Sequence, residues 1–201
     1  MLETDSPSTV GSDDRPTVLA VDDDRDLAET YKLWLCEEYE VRIANGGSAA
    51  LEHYGPDVDV VLLDRRMPSM SGDEVLRRLR DRDPTARVAM VTAVEPEMSV
   101  VEMSFDDYLV KPVDRGAVQN TVDDLLALRE FDEQVQEYYS MCSTLAVLEA
   151  ARESSSSPPP AELVELRDRV ADYRETIEMR ADELHELETF DGLSLASEGM
   201  Y

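Results

Sequence analysis

The stretch Asp57 to Pro68, DVDVVLLDRRMP, constrains the fold more than any other, because a short aliphatic run leads directly into a single carboxylate. Val58, Val60, Val61, Leu62 and Leu63 are residue types suited to a strand buried on both faces, as in a parallel sheet. Asp64 falls where that strand should end. In open α/β sheets ligands gather outside the carboxyl ends of the strands. An aspartate that merely caps a strand fits this stretch equally well, so the other strand ends have to decide between the two readings.

They repeat the pattern. Val18 to Val21 is apolar and runs into Asp22, Asp23 and Asp24. Asp26 to Tyr39 carries Leu27, Tyr31, Trp34 and Leu35 at helical spacing, and Val41 to Ala44 is a brief second strand. The turn at Asn45, Gly46 and Gly47 lacks the lysine and the spacing of a phosphate-binding P-loop. Ser48 to Tyr54 reads as a helix, Asp57 to Leu63 as the third strand, and Gly72 to Arg80 as a helix with Val75, Leu76 and Leu79 on one face. Val88 to Val91 is a strand ending at Thr92. A short helix around Glu97 to Met103 follows, then a fifth strand, Tyr108 to Val110, closed by Lys111 and Pro112. Strands alternating with helices through short loops imply an α/β domain, a doubly wound parallel sheet of five strands covered on both faces.

Residues 1–16 are rich in Ser, Thr, Asp and Pro without apolar periodicity and read as a disordered leader. A long helix begins at Asp114 and meets no breaker before the SSSSPPP run at 154–160. Its first part spaces Val118, Val122 and Leu125 to pack on the sheet. From Leu128 the apolar positions change phase and continue as Phe131, Val135, Tyr138, Cys142 and Leu145, steps of three and four that make a heptad seam. The rhythm returns after the loop at Leu163, Leu166, Val170, Tyr173 and Ile177, is broken at Arg180, and resumes at Leu184 and Leu187. A connection of about ten residues favours an antiparallel helical hairpin.

Nineteen basic residues against 46 acidic ones give a formal charge of −27, and only Lys32 and Lys111 are lysine. Such a surface repels nucleic-acid phosphates and anionic lipid, and resists compaction unless salt screens it. It looks like adaptation to a salty cytoplasm. Cys36 and Cys142 are far apart, in helical stretches, with neither a disulfide framework nor metal-ligand spacing, and are expected to be buried free thiols. No apolar run is long enough to span a bilayer and no signal sequence is present, so the expected location is cytoplasmic.

Gathering the strand ends places Asp22, Asp23, Asp64, Thr92 and Lys111 at one edge of the sheet. Close carboxylates repel by roughly 4 kcal/mol per pair at about 4 Å and an effective dielectric near 20, which disfavours a purely structural role. A magnesium ion would resolve the repulsion, since it takes one or two carboxylates and completes its octahedron with water and phosphate oxygens. Lys111 offers a compact cation to a phosphoryl oxygen and Thr92 a hydroxyl. The set suits Asp64 as a carboxylate nucleophile that accepts a phosphoryl group.

Residues from about Thr17 to Leu126 resemble the receiver domain of two-component response regulators, through VLAVDDD at 18–24, LLDRRMP at 62–68, VTA at 91–93 and DDYLVKP at 106–112. The resemblance implies a flavodoxin-like sheet of order 2-1-3-4-5 over 17–127. It implies Asp64 as phosphoacceptor and Asp23, Asp64 and the Arg66 backbone carbonyl as magnesium ligands, with Asp22 acting through bound water. Thr92 and Lys111 would hold the phosphoryl group, Tyr108 would be the aromatic whose rotamer reports phosphorylation, and a histidine kinase would be the donor. The stretch from Thr92 to Lys111 is shorter than the family's usual spacing, and Ser104 stands where glycine is common. The intervening helix is therefore expected to be truncated, and dimerisation through that face is in doubt. Arg66 and Val94 occupy positions that flank the phosphoryl site in the family, which implies that they modulate dephosphorylation.

The C-terminal part, with DEQVQEYYSMCSTL, resembles the HalX domain, a helical module attached to receivers in halophilic archaea; a hairpin over 128–190 and a flexible tail over 191–201 are expected. The family leans toward transcriptional regulation. From Leu128 onward, however, 6 basic and 18 acidic residues give −12, and no Lys/Arg cluster is available to release counterions from DNA. Arg167, Arg169, Arg174 and Arg180 are interleaved with acid and read as intrahelical pairs. The favoured output is a protein-protein contact, with a kinase, another regulator or a second copy of the chain. Direct DNA binding is the alternative, a mere stabilising extension the plainest reading, and a receiver used only as a scaffold the least consistent with the intact acidic site. No separate output enzyme is visible, and no membrane partner is expected.

Overall fold

The strands are short and mostly β-branched or aliphatic, and helices with apolar stripes that need cover are interspersed among them, so the chain winds back and forth across one sheet. The structure, a computed structural model, describes residues 15–93, 104–152 and 158–194, with residues 185–194 as backbone only. The elements are β1 Thr17–Val21, α1 Arg25–Leu35, β2 Glu40–Ala44, α2 Gly47–His53, β3 Val60–Leu63, α3 Gly72–Arg82, β4 Arg87–Thr92, β5 Asp107–Val110, α4 Arg115–Ala150 and α5 Ala161–Ser194. All strand pairs are parallel, in the order β2-β1-β3-β4-β5. The short helix expected at 97–103 lies outside the described residues, as do Val94 and residues 1–14 of the expected leader.

Alternate residues of each strand serve opposite layers. Leu19, Val21, Val61, Leu63, Val88 and Met90 pack with Ala50, Val75, Leu76 and Leu79 of α2 and α3. Val18, Ala20, Val60, Leu62, Ala89 and Val91 pack with Tyr31 and Leu35 of α1 and with Val118, Val122 and Leu125 of α4. β1, β3 and β4 are buried along their whole length, which is why they read as continuous apolar runs rather than alternating ones.

The chain divides into two compact units, 1–126 and 127–201. In the second, α4 and α5 are antiparallel: Glu149 meets Arg167 at 2.6 Å, Glu137 meets the Tyr173 hydroxyl at 2.6 Å, and Glu130 meets Arg180, so positions fall along one helix as they rise along the other. Between Ala161 and Leu184 the residues withdrawn from solvent are Leu163, Leu166, Val170, Tyr173, Ile177, Arg180 and Leu184, the heptad positions.

Three expectations need correction. Arg167 and Arg180 pair across the hairpin instead of along their own helix, because residues on or beside the seam are closer to the facing helix than to the next turn; Arg174 does pair locally, with Glu178 at 3.6 Å. Cys36 is exposed and Cys142 half-buried, since Cys36 caps the C-terminus of α1 one residue beyond the buried Leu35. Finally, α5 continues to Ser194, past the point where a tail was expected; residues 195–201 lie outside the described residues.

Candidate functional site

Parallel register brings the polar strand ends together. Val21 lies opposite both Ala44 and Leu63, so the residues that follow, Asp22 and Asp64, leave adjacent strands side by side. Backbone bonds continue the register past the strands: the Asp64 amide donates to the Val21 carbonyl at 2.9 Å and the Asp22 amide to that of Ala44 at 3.2 Å. Thr92 lies opposite Val110, and the Lys111 amide donates to the Thr92 carbonyl at 2.9 Å. Four of the five strands thus deliver a polar residue to a single edge.

The three neighbouring acids at the end of β1 divide their roles. Asp24 is the N-cap of α1 and accepts from the amides of Asp26 and Leu27 at 3.0 and 3.3 Å, so it is consumed by the helix. Asp22 is buried. Its Oδ1 accepts from the Asp24 amide at 2.9 Å and its Oδ2 from Lys111 Nζ at 2.7 Å. Asp23 is exposed. Asp22, Asp23 and Asp64 each offer an oxygen, all within 4.8 Å of one another.

Lys111 Nζ also lies 3.5 Å from Asp64 Oδ1. Burial holds the Asp64 carboxyl above the usual carboxylate range; the lysine ammonium works against that rise, Asp22 adds to it, and the Arg66 amide, which donates to the carboxylate, opposes it. One ammonium among three carboxylates leaves the cluster formally two charges negative. A hard divalent cation fits this donor set: oxygen ligands only, mutually close, with one exposed side open to water. Asp23, Asp64 and the Arg66 carbonyl would hold it. Thr92 is wholly buried at the end of β4, and Tyr108, half-buried on β5, sets its ring 5.4 Å from that of Phe105.

Beside the acids the loop between β3 and α3 walls an open cleft with Arg65, Arg66, Met67 and Ser71, facing Asp23. Gly72 allows the loop to close: a Cβ there would lie 2.3 Å from the Asp64 carbonyl oxygen and 2.8 Å from the Arg65 Cα, so only glycine lets α3 start against the backbone of Asp64 and Arg65.

Two residues escape sequence reasoning. Arg65 reads as one of many arginines, yet its guanidinium grips Asp73 at 3.0 Å. Its place directly after Asp64, where the chain must turn, was the available signal. Tyr31 reads as core and is core, but its buried hydroxyl has no hydrogen-bond partner among the described residues, and burial followed by the charges of Asp22, Asp64 and Asp24 holds its proton on more firmly than usual. Nothing in helical spacing announces that.

The response regulator receiver domain family matches residues 18–123 and the HalX domain family residues 127–194. A protein of Haloferax volcanii described as a transcriptional regulator is 48% identical over 158 residues, covering 78% of this chain and 27% of that protein. Transcriptional regulatory protein CpxR of Escherichia coli K12 is 34% identical over 134 residues, 65% of this chain and 57% of CpxR. The chain thus spans less than two thirds of either relative. Among solved structures, response regulator TrrA of Thermotoga maritima in complex with Mg(2+)-BeF is 32% identical, with a TM-score of 0.51 over 55% of this chain and 99% of that one. Five parallel strands in this order, the acidic edge and the two family matches agree: the chain belongs to the response regulator receiver family and carries a HalX domain after the receiver.

Proposed function

We propose that in the cytoplasm Asp64 accepts a phosphoryl group from the phosphohistidine of a histidine kinase, with magnesium required, and that the helical hairpin passes the resulting state to a protein partner. The observation that carries this reading is the position of Lys111, whose ammonium bridges buried Asp22 and Asp64 at 2.7 and 3.5 Å, within reach of any group transferred to Asp64. An Asp64 oxygen attacks phosphorus, the P–N bond to the donor imidazole breaks, and its electron pair leaves on nitrogen. Magnesium at Asp23, Asp64 and the Arg66 carbonyl would supply charge neutralisation for the phosphoryl oxygens. The complex of TrrA with Mg(2+)-BeF supports this reading by way of a similar protein.

Phosphorylation replaces one negative charge on Asp64 by about two and adds acceptor oxygens, which draws in the Thr92 hydroxyl and Lys111, and Tyr108 follows. α4 begins four residues after Lys111 and supplies both the sheet-packing Val118, Val122 and Leu125 and, further on, the first half of the heptad seam. That covalent continuity offers a route for the signal. DNA binding is the second reading, favoured by the names of the relatives and opposed by the 6 basic and 18 acidic residues from Leu128 onward.

The test uses the full chain in about 1 M KCl. Acetyl phosphate and magnesium should give a phosphoprotein that is lost in Asp64→Ala; a phosphorylated Asp64→Ala would refute the acceptor. Pull-downs from high-salt lysate with wild type and Asp64→Ala, beside mobility shifts on genomic DNA fragments, separate the outputs: DNA retained with an affinity falling steeply with salt would replace the protein-partner reading.

A further inference from the structure

Arg65 directly follows Asp64, and both its backbone and its side chain are tied to the start of α3. Its carbonyl accepts from the Gly72 amide at 2.8 Å. Its guanidinium forks onto Asp73, Nε to Oδ1 at 3.0 Å and Nη2 to Oδ2 at 3.3 Å. The Arg65 side chain is only 15% exposed, so this fork works where water competes weakly and charge-assisted bonds gain strength. Asp73 stands in the first turn of α3, where the helix dipole also favours its charge.

These ties bear on the next residue. The peptide joining Arg65 to Arg66 is planar, so once the Arg65 carbonyl is held by Gly72, only the two torsions of Arg66 decide where its own carbonyl points. Met67 is buried in the core layer of α2 and α3 and limits those torsions from the other side. Further along, Ser69 takes the left-handed region at φ 68°, a conformation that a serine keeps only when its surroundings impose it. A loop under that constraint needs its two ends held together, and the fork joins its first residue to the helix that closes it.

We propose that Arg65 is a positioning residue for the metal: through Asp73 it clasps the loop between β3 and α3 and so keeps the Arg66 carbonyl in place as a ligand beside Asp23 and Asp64. The proposal rests on the reading of the acidic edge as a magnesium-dependent phosphoacceptor site. Asp73 gains a second task by it. Arg65 and Asp73 line the same cleft as Asp23, where an uncompensated guanidinium would repel a divalent cation; paired, the two charges cancel. Arginine suits the clasp because its planar fork fixes direction as well as distance, whereas a lysine would meet Asp73 as a point charge.

Titration of magnesium chloride into the full chain provides the test, in a cycle of wild type, Arg65→Met, Asp73→Ala and the double substitution in about 1 M KCl. Charges there are screened beyond about 3 Å, so geometry decides the outcome. Arg65→Met should weaken magnesium binding about tenfold, as expected for a residue that orients a ligand from behind, although it removes a positive charge from the cleft. Asp73→Ala should weaken it to a similar extent and the double substitution no further, since either change alone opens the fork. Leu79→Ala, which leaves a cavity under α3 away from the loop, should lower the urea midpoint and leave magnesium affinity unchanged. Binding by Arg65→Met as tight as wild type or tighter, losses that multiply in the double variant, or an equal loss in Leu79→Ala would each overturn the clasp alone. A wild type without affinity for magnesium would overturn the magnesium reading itself, and the clasp with it.

Discussion

Asp64→Asn should make the protein more stable while abolishing its chemistry, and the size of the gain follows from the geometry. With carboxylate oxygens up to 4.8 Å apart, each neighbouring acid repels Asp64 by about 3.5 kcal/mol at an effective dielectric near 20. Lys111 at 3.5 Å returns about 4.7 kcal/mol. Two repulsions exceed the one attraction by about 2 kcal/mol, but solvent around exposed Asp23 screens part of its share, so the gain should be about 1–2 kcal/mol. Its pH dependence has a definite sign. The folded pKa of Asp64 is raised, so the penalty for ionising it is fully present above that raised value and vanishes below the unfolded value of 3.8. Urea unfolding of both proteins in about 1 M KCl with a chelator should therefore show the variant ahead at pH 7 and the difference closing as pH falls toward 3.8. Magnesium at about ten times its dissociation constant should return about 1.4 kcal/mol to the wild type and less to the variant. A variant less stable than wild type at pH 7 without magnesium, or a difference that widens on acidification, would refute the electrostatic account of the site.

Gly72→Ala must push the Asp64 and Arg65 backbone aside to relieve a 2.3 Å approach, which should cost about 1–3 kcal/mol in urea unfolding and weaken magnesium binding measured by titration calorimetry. Arg180→Leu should complete the apolar seam at little cost, because Glu130 on the facing helix is 55% exposed and can return to water; a loss above about 2 kcal/mol would show that the ion pair holds the hairpin together. With a formal charge of −27, the urea midpoint of the wild type should rise steadily from about 0.1 to 2 M KCl, and a flat response would remove self-repulsion from the account of its composition.

What was legible in the sequence is what short-range pattern controls. Continuous aliphatic runs before Asp22, Asp64 and Thr92 mark strands covered on both faces, and parallel register then places their ends together without further information. Asp24 shows the limit of that reasoning. Its neighbours face the cluster while it caps α1, a division set by the turn from strand to helix and invisible in a run of three identical residues. Arg65 lay beyond reach for a different reason: its partner Asp73 is eight residues away in the first turn of α3, and only the folded loop brings that carboxylate to the guanidinium. Cys36 was misplaced because periodicity says which helical face is buried but not that Leu35 is the last residue to lie on it.

The hairpin constrains the kind of output it could support. Two helices alone cover little of each other: Met141 and Leu163 are buried, whereas Phe131, Val135, Tyr138, Leu145, Leu166, Val170, Tyr173 and Ile177 stay half-buried along the seam. Stable domains pack such stripes between layers, so an apolar surface of this form is suited to receive a further helix. The acidic faces around it contribute little to choosing a partner where salt is high, since exposed charges more than a few ångströms apart are screened there. If the hairpin receives a protein partner, discrimination would then come from the seam itself: the register fixed by Arg167, Tyr173 and Arg180 against Glu149, Glu137 and Glu130, and the break that Arg180 makes in the apolar run. A partner recognised in this way should tolerate salt, and its binding should respond to Arg180→Leu far more than to removal of any single outward-facing carboxylate.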